Sequence, residues 1–170
     1  IVVLVILQTT FSAWSQSPTM EDKKNQADAI FKEAFALYEQ GTAKSYLVAL
    51  HKFQYITLIY EEIGDKSNNA GMSLGFSGAI FERLGRKEEA LKLYDQALKF
   101  FLQNNDKFWQ AIIINNLGKV YADLGEKQKA LQFLNQSLLL SREIKDESGE
   151  AVTLNNIGGV YDSLGEMQKA

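Results

Sequence analysis

The chain has 170 residues, with one proline, one histidine and no cysteine, and its 18 basic and 21 acidic side chains give a net charge of −3. That composition excludes a disulfide framework, thiolate metal sites, cysteine nucleophiles and a histidine metal cage. It also carries no basic footprint for nucleic acid or an anionic membrane surface. The only proline is Pro18. Proline costs about 3 kcal/mol inside a helix, so the long proline-free remainder is predicted to be helical.

The first twenty residues carry no charge, so all 39 charged side chains lie in the 150 that follow. Residues 1–7 are uniformly apolar, small polar residues come next, and Ala13-Trp14-Ser15 fits a signal-peptidase site. These features read as the apolar and cleavage regions of a secretory signal. The alternative is the exit end of an uncleaved membrane anchor, because residues 1–14 fall short of the ~20 that span a bilayer. Residues 1–19 are therefore expected to be a partial signal peptide or N-terminal membrane segment. The protein is expected to be exported, periplasmic or secreted, or else anchored by that segment, its only contact with a membrane. No cysteine follows the apolar run, which excludes a lipoprotein anchor.

From Met20 onward the sequence repeats. Residues 111–130 and 151–170 are identical at 12 of 20 positions at an offset of 40. Residues 71–90 keep Gly78, Leu84, Gly85, Lys87 and Ala90 in the same frame, with Phe81 where the later copies have Tyr121 and Tyr161. A weaker first copy starts near Asp22, with Ala34, Gly41, Ala49 and Phe53 in place and about three extra residues after Gly41. A fixed period of this size marks a solenoid.

Each copy divides at a glycine, Gly41, Gly85, Gly125 or Gly165, that can take the left-handed conformation closing a helix. A second helix opens on charged residues, and Ala130, Leu134, Ser137 and Leu138 then share one face, as do Ala90, Tyr94, Ala97 and Leu98. The unit is helix A, a tight turn, then helix B. Gly78, Gly118 and Gly158 lie inside the A helices, where glycine costs about 1 kcal/mol. They imply a close approach, and Ala90, Ala130 and Ala170 are expected to be the small partners on helix B.

Leu117, Gly118 and Tyr121, repeated as Ile157, Gly158 and Tyr161 and followed by the alanine pattern of helix B, resemble the tetratricopeptide repeat. The resemblance covers residues 20–170, about three full repeats and a truncated fourth. The period of 40 instead of 34, and the absence of a proline closing helix B, resemble the long repeats of kinesin light chains and of bacterial proteins. The phrases Asn-Asn-(Leu/Ile)-Gly and Leu-Gly-Glu-x-Gln-Lys-Ala are similar to exported bacterial arrays that often precede a caspase-like CHAT protease domain. The resemblance implies an all-α, right-handed superhelical solenoid of antiparallel helix pairs whose A helices line a concave groove.

On that frame the groove residues are Met72, Gly75, Ala79 and Glu82, then Ile112, Asn115, Asn116, Lys119 and Ala122, then Val152, Asn155, Asn156, Gly159 and Asp162. The doubled asparagines need a reason, because asparagine competes with the helix backbone for hydrogen bonds. Their carboxamides can pair with an extended peptide, as asparagines at these places do in the resembling family, or tie one repeat to the next. The expected peptide-binding residues are Asn115, Asn116, Lys119, Asn155, Asn156 and Asp162. With Glu82 and Asp162 beside a single lysine, no clamp for acidic tails is expected.

Other residues read as structural. His51 is placed near the start of a helix B, without a second ligand. Glu61-Glu62, Glu88-Glu89 and Asp146-Glu147 fall at helix ends, where solvated charge is usual. Phe100, Phe101, Phe108 and Trp109 form an aromatic cluster read as core packing between repeats. No catalytic, cofactor or metal residues are expected. The expected function is a non-enzymatic scaffold binding a protein or peptide. The alternative is a regulatory or substrate-presenting array of a larger enzyme. Ala170 opens a helix B that does not follow, which predicts self-association at that end.

Overall fold

Thr19 starts the helical body by a reciprocal cap. Its hydroxyl accepts from the Asp22 backbone N–H at 3.1 Å, while the Asp22 carboxylate accepts from the Thr19 N–H at 3.0 Å. In the computed structural model, which describes residues 17–165, this cap begins helix α1, Met20–Glu39. Residues 1–16, which carry the expected signal, and residues 166–170, which include Ala170, lie outside the described residues. Six further helices follow: α2 (Ala43–Glu62), α3 (Asn68–Arg83), α4 (Lys87–Gln103), α5 (Lys107–Asp123), α6 (Lys127–Glu143) and α7 (Glu147–Ser163). There is no strand among the described residues, and no helix among them is long and apolar enough to cross a membrane.

The helices alternate as the sequence predicts: α1, α3, α5 and α7 are A helices, and α2, α4 and α6 are B helices. Gly41, Gly85, Gly125 and Gly165 all have positive φ, from 69° to 80°. At Gly85 the glycine N–H reaches the Glu82 carbonyl at 2.9 Å, and the Arg86 N–H reaches Phe81 at 2.8 Å. That pattern satisfies carbonyls that the helix end would otherwise leave unpaired. The turns from B to A use the same geometry at Gly64, Asn105 and Lys145. None of these three left-handed residues is expected from the sequence pattern, and two of the three are not glycine.

Helix α2 starts at Ala43 because Thr42 and Ser45 form a second capping box. His51 consequently lies in the middle of that helix, exposed, and not near its start as the sequence frame had it. The buried faces largely follow the predicted spacing: Ala90, Tyr94 and Ala97 of α4 are fully buried, as are Ala130 and Leu134 of α6, while Leu98 is only partly buried and Phe101 completes the α4 face. The mid-helix glycines face a different neighbour from the one expected. A Cβ on Gly78 would stand 2.9 Å from the Tyr94 ring, and one on Gly118 would stand 2.7 Å from Leu134. The alanines let the helices close, and the large residue one turn further along helix B lies across the glycine. At Gly118 the Ala130 carbonyl is itself 3.2 Å from that Cβ position. Gly158 meets nothing within 4 Å among the described residues.

Polar ties hold the first repeat to the second. Asp28 accepts from the Tyr60 hydroxyl at 2.7 Å and from Asn69 at 3.0 Å. Burial, reinforced by Asp28, pushes the Tyr60 hydroxyl far above its usual range, so it stays a donor. Lys24 pairs with Asp65 in the turn before α3. Burial alone would raise the Asp65 carboxyl, but hydrogen bonds from Lys24 and Ser67 outweigh it and hold the group below its ordinary 3.8.

Two outcomes are expected. Gly118→Ala should lower stability by about 1–3 kcal/mol through overpacking against Leu134, despite alanine's better helix propensity, in thermal or urea melts. For Asp65, a lowered folded pKa means stability that is present above 3.8 and lost as pH falls through the folded value. Asp65→Asn should therefore destabilise the protein at neutral pH and flatten the acid limb of a stability-versus-pH curve.

Candidate functional site: the face of the A helices

Successive A helices touch from repeat to repeat, α1 with α3, α3 with α5 and α5 with α7, whereas the B helices make no such contacts among the described residues. The A helices therefore form the inner side of the stack. Two clefts open there. One, of about 210 Å³, lies across α1, α3 and α5, where Tyr38, Phe76 and Trp109 surround Met72, Gly75 and Ala79. The other, of about 290 Å³, lies among α5, α6 and α7, where Phe108 and Val152 face Ser141, Asp146 and Gly149. Ile112 and Asn116 line both, so they form the ridge between the two clefts.

The four asparagines fall into different roles. Asn115 is 8% exposed, and its carbonyl oxygen accepts from Asn156 Nδ2 at 3.0 Å, a bond between α5 and α7. That pair ties one repeat to the next. Asn116 is half-buried on the ridge, and its carboxamide makes no hydrogen bond to another described residue. Asn155 is exposed and lines neither cleft.

Lys119 projects from the same face and pairs with Glu82 at 2.5 Å, while the second oxygen of Glu82 accepts from the Tyr94 hydroxyl at 2.9 Å. Burial and then Glu82 push the Tyr94 hydroxyl far upward, so it remains protonated. Arg83 lies over the rings of Tyr38 and Tyr46, with its guanidinium carbon 5.5 and 5.7 Å from their centres. Asp162 and Gly159 are exposed and line neither cleft; Ala122 is half-buried beside the α6–α7 core.

The structure thus joins Asn115 to Asn156, sets Asn116 on the ridge, links Lys119 to Glu82, and leaves Asn155 and Asp162 apart. Tyr38, Phe76, Phe108, Trp109, Ser141 and Gly149 are cleft residues that the asparagine-centred reading missed. Trp109 does pack as expected, stacked on Phe101 with ring centres 5.6 Å apart, yet its outer side walls a cleft. Among the described residues no group of three or more histidines and carboxylates is placed to hold a metal.

Helix pairs stacked at a constant period, with one helix of each pair facing inward, define an α-helical repeat solenoid. A tetratricopeptide-repeat family model matches residues 109–170 and another matches residues 73–103. The chain is a tetratricopeptide-repeat protein. A structural neighbour, BtubC (BKLC) from P. vanneervenii, is 22% identical with a TM-score of 0.78, covering 94% of this chain and 64% of its own. Aspartyl phosphate phosphatase F from Bacillus subtilis is 14% identical with a TM-score of 0.78, covering 93% of this chain and 39% of its own. A STAND (signal transduction ATPase with numerous domains) protein with a tetratricopeptide repeat sensor, from Pyrococcus horikoshii, is 19% identical with a TM-score of 0.65. That match covers 88% of this chain and 28% of the neighbour. The chain thus spans less than two thirds of each of these proteins, and the likeness is one of fold. A search of curated protein sequences gives no match. Tetratricopeptide repeats are typically non-enzymatic, and their presence supports a protein-interaction scaffold.

The shared carboxylate gives a graded expectation. Glu82→Ala strands a buried tyrosine hydroxyl and should cost about 1–3 kcal/mol. Lys119→Ala removes only an exposed partner and should cost about 0–1 kcal/mol. Urea denaturation of the two variants compares them directly.

Proposed function

We propose that the A-helix face binds an extended segment of a partner protein across the ridge formed by Ile112 and Asn116. The observation that carries this reading is the half-buried carboxamide of Asn116, which pairs with no described residue and stands between two clefts. It offers a donor and an acceptor side by side to a peptide backbone, while the flanking clefts take side chains on either side. Asn156, tied to Asn115, shapes the ridge, and Lys119 and Asp162 add charge further along the same face. The charge-free segment 1–19 supports export of this scaffold.

Peptides selected by random-peptide phage display on the full chain provide the test. Asn116→Ala, and Ala79→Trp filling the smaller cleft, should each weaken them by about tenfold, as loss of an interface anchor does. Gln132→Ala on the exposed side of α6 should leave them unchanged. Equal affinities for all these variants, with unchanged circular dichroism, would overturn the reading.

A second reading is an array that regulates or presents substrate to a larger enzyme, such as a caspase-like CHAT protease. The repeat sensor within the multidomain Pyrococcus horikoshii ATPase supports that general form. The coding sequence downstream of Ala170 decides it: a histidine and a cysteine in an α/β pattern favour the protease, and a stop after further repeats excludes it.

A further inference from the structure

We infer that the cleft among α5, α6 and α7 receives an arginine side chain of the bound segment. This rests on the peptide-binding reading above and specifies its chemistry.

The repeat itself accounts for the cleft. One period earlier, Phe101 is fully buried and stacked on Trp109, and that pair fills the junction between α4 and α5. The residues 40 positions later are Ser141 and Gly149, and Phe108 is succeeded by Ser148. Two large rings are replaced by a hydroxymethyl group and a hydrogen, and about 290 Å³ stands open. The space is not merely apolar. Ser141 Oγ is buried and has no hydrogen-bond partner among the described residues, although most buried polar atoms find one.

Asp146 supplies the charge. Its Oδ1 caps α7 by accepting from the Gly149 N–H at 3.0 Å. The equivalent Asp106 caps α5 in the same way and uses Oδ2 to accept from Asn68 at 3.0 Å. The residue 40 after Asn68 is Phe108, which has no donor, so Asp146 Oδ2 pairs with no described residue. Of the cations nearby, Arg142 pairs with Glu150 at 2.7 Å and Lys107 with Glu143 at 2.5 Å, and the exposed Lys145 makes no ion pair with Asp146.

A guest side chain must therefore pass apolar walls and offer donors at the end. Ile112 and Val152 suit a methylene stem, the 46% exposed ring of Phe108 suits a planar cation, and Asp146 with Ser141 suits a fork of N–H donors. An acidic side chain would meet Asp146 with like charge. A purely apolar one would leave both polar groups unpaired. Lysine has a point charge but no planar fork.

The test uses the full chain, isotopically labelled, titrated by NMR with N-acetyl-arginine methylamide and with its lysine, phenylalanine and glutamate counterparts. The arginine probe should give saturable shifts at the amides of Ser148, Gly149, Val152 and Thr153. Lysine should bind about fivefold more weakly and glutamate not at all. Asp146→Asn keeps a capping side chain, so it should preserve the helix while weakening arginine about fivefold or more. Ser141→Phe, which restores the ring of the preceding junction, should abolish the shifts and serves if the first variant does not fold. Phenylalanine binding as tightly as arginine, or indifference to both substitutions, would overturn the proposal. Should displayed peptides still bind through Asn116 in that event, only the arginine assignment falls; should they fail too, the groove reading falls with it.

Discussion

Every helix among the described residues ends on a residue in the left-handed conformation: Gly41, Gly64, Gly85, Asn105, Gly125, Lys145 and Gly165. The rest of the architecture depends on that single backbone constraint. A left-handed residue lets the chain reverse within a few residues while the last carbonyls of the helix are satisfied. Reversal at a constant interval then sets adjacent helices antiparallel. Five of the seven positions are glycine and one is asparagine, which tolerates this region. Lys145 is the exception, and it stays in place because the backbone bonds around it match those at Asn105: Asp146 N–H to Ser141 at 2.8 Å, against Asp106 N–H to Phe101 at 3.0 Å.

Reversal alone would give only a string of hairpins. What fuses them is contact between repeats, and much of that contact recurs at the same interval. Lys87 at the start of α4 reaches the carbonyl of Asp123 at the end of α5, and Lys127 at the start of α6 reaches the carbonyl of Ser163 at the end of α7. In sequence these lysines belong to charged runs and look like solvated helix starts. In the fold each one places a cation at the negative end of the next repeat's A helix. The contact is invisible from either residue alone, because it joins positions 36 apart, at the start of one helix and the end of the next.

The helices, their order and their buried faces were legible because each depends on local pattern: glycine position, apolar spacing and a strict period. The glycine contacts were half legible. Gly78 and Gly118 announced a close approach, but sequence cannot say whether an alanine or the ring one turn beyond lies on top. Across the asparagines legibility ran out. Asn115 and Asn116 are neighbours of the same residue type, yet they differ by 100° in direction around a helix. That turn sends one into the bond with Asn156 and the other onto the ridge. The clefts were not legible by a search for what recurs, because they arise where the repeat departs from itself.

That last point bears on how such a chain acquires specificity. Positions that close the turns and seat helix B on helix A cannot vary without cost: a Cβ at Gly118 would stand 2.7 Å from Leu134. The junction positions differ between repeats even so, although a Cβ on Gly149 would itself stand 3.0 Å from Ser141 Oγ and closer still to the Asp146 carboxylate. The Phe101–Trp109 stack and the Ser141–Gly149 gap occupy equivalent places, and both are compatible with the same helix geometry and nearly the same turn, φ 52° at Asn105 and 59° at Lys145. A junction closed by aromatic rings stiffens the stack and presents a wall, as Trp109 does to the smaller cleft. A junction lined with small residues leaves a recess with polar groups at its base. The relief of the A-helix face is therefore set by side-chain volume at the seams between repeats, on a backbone that the turn residues hold constant.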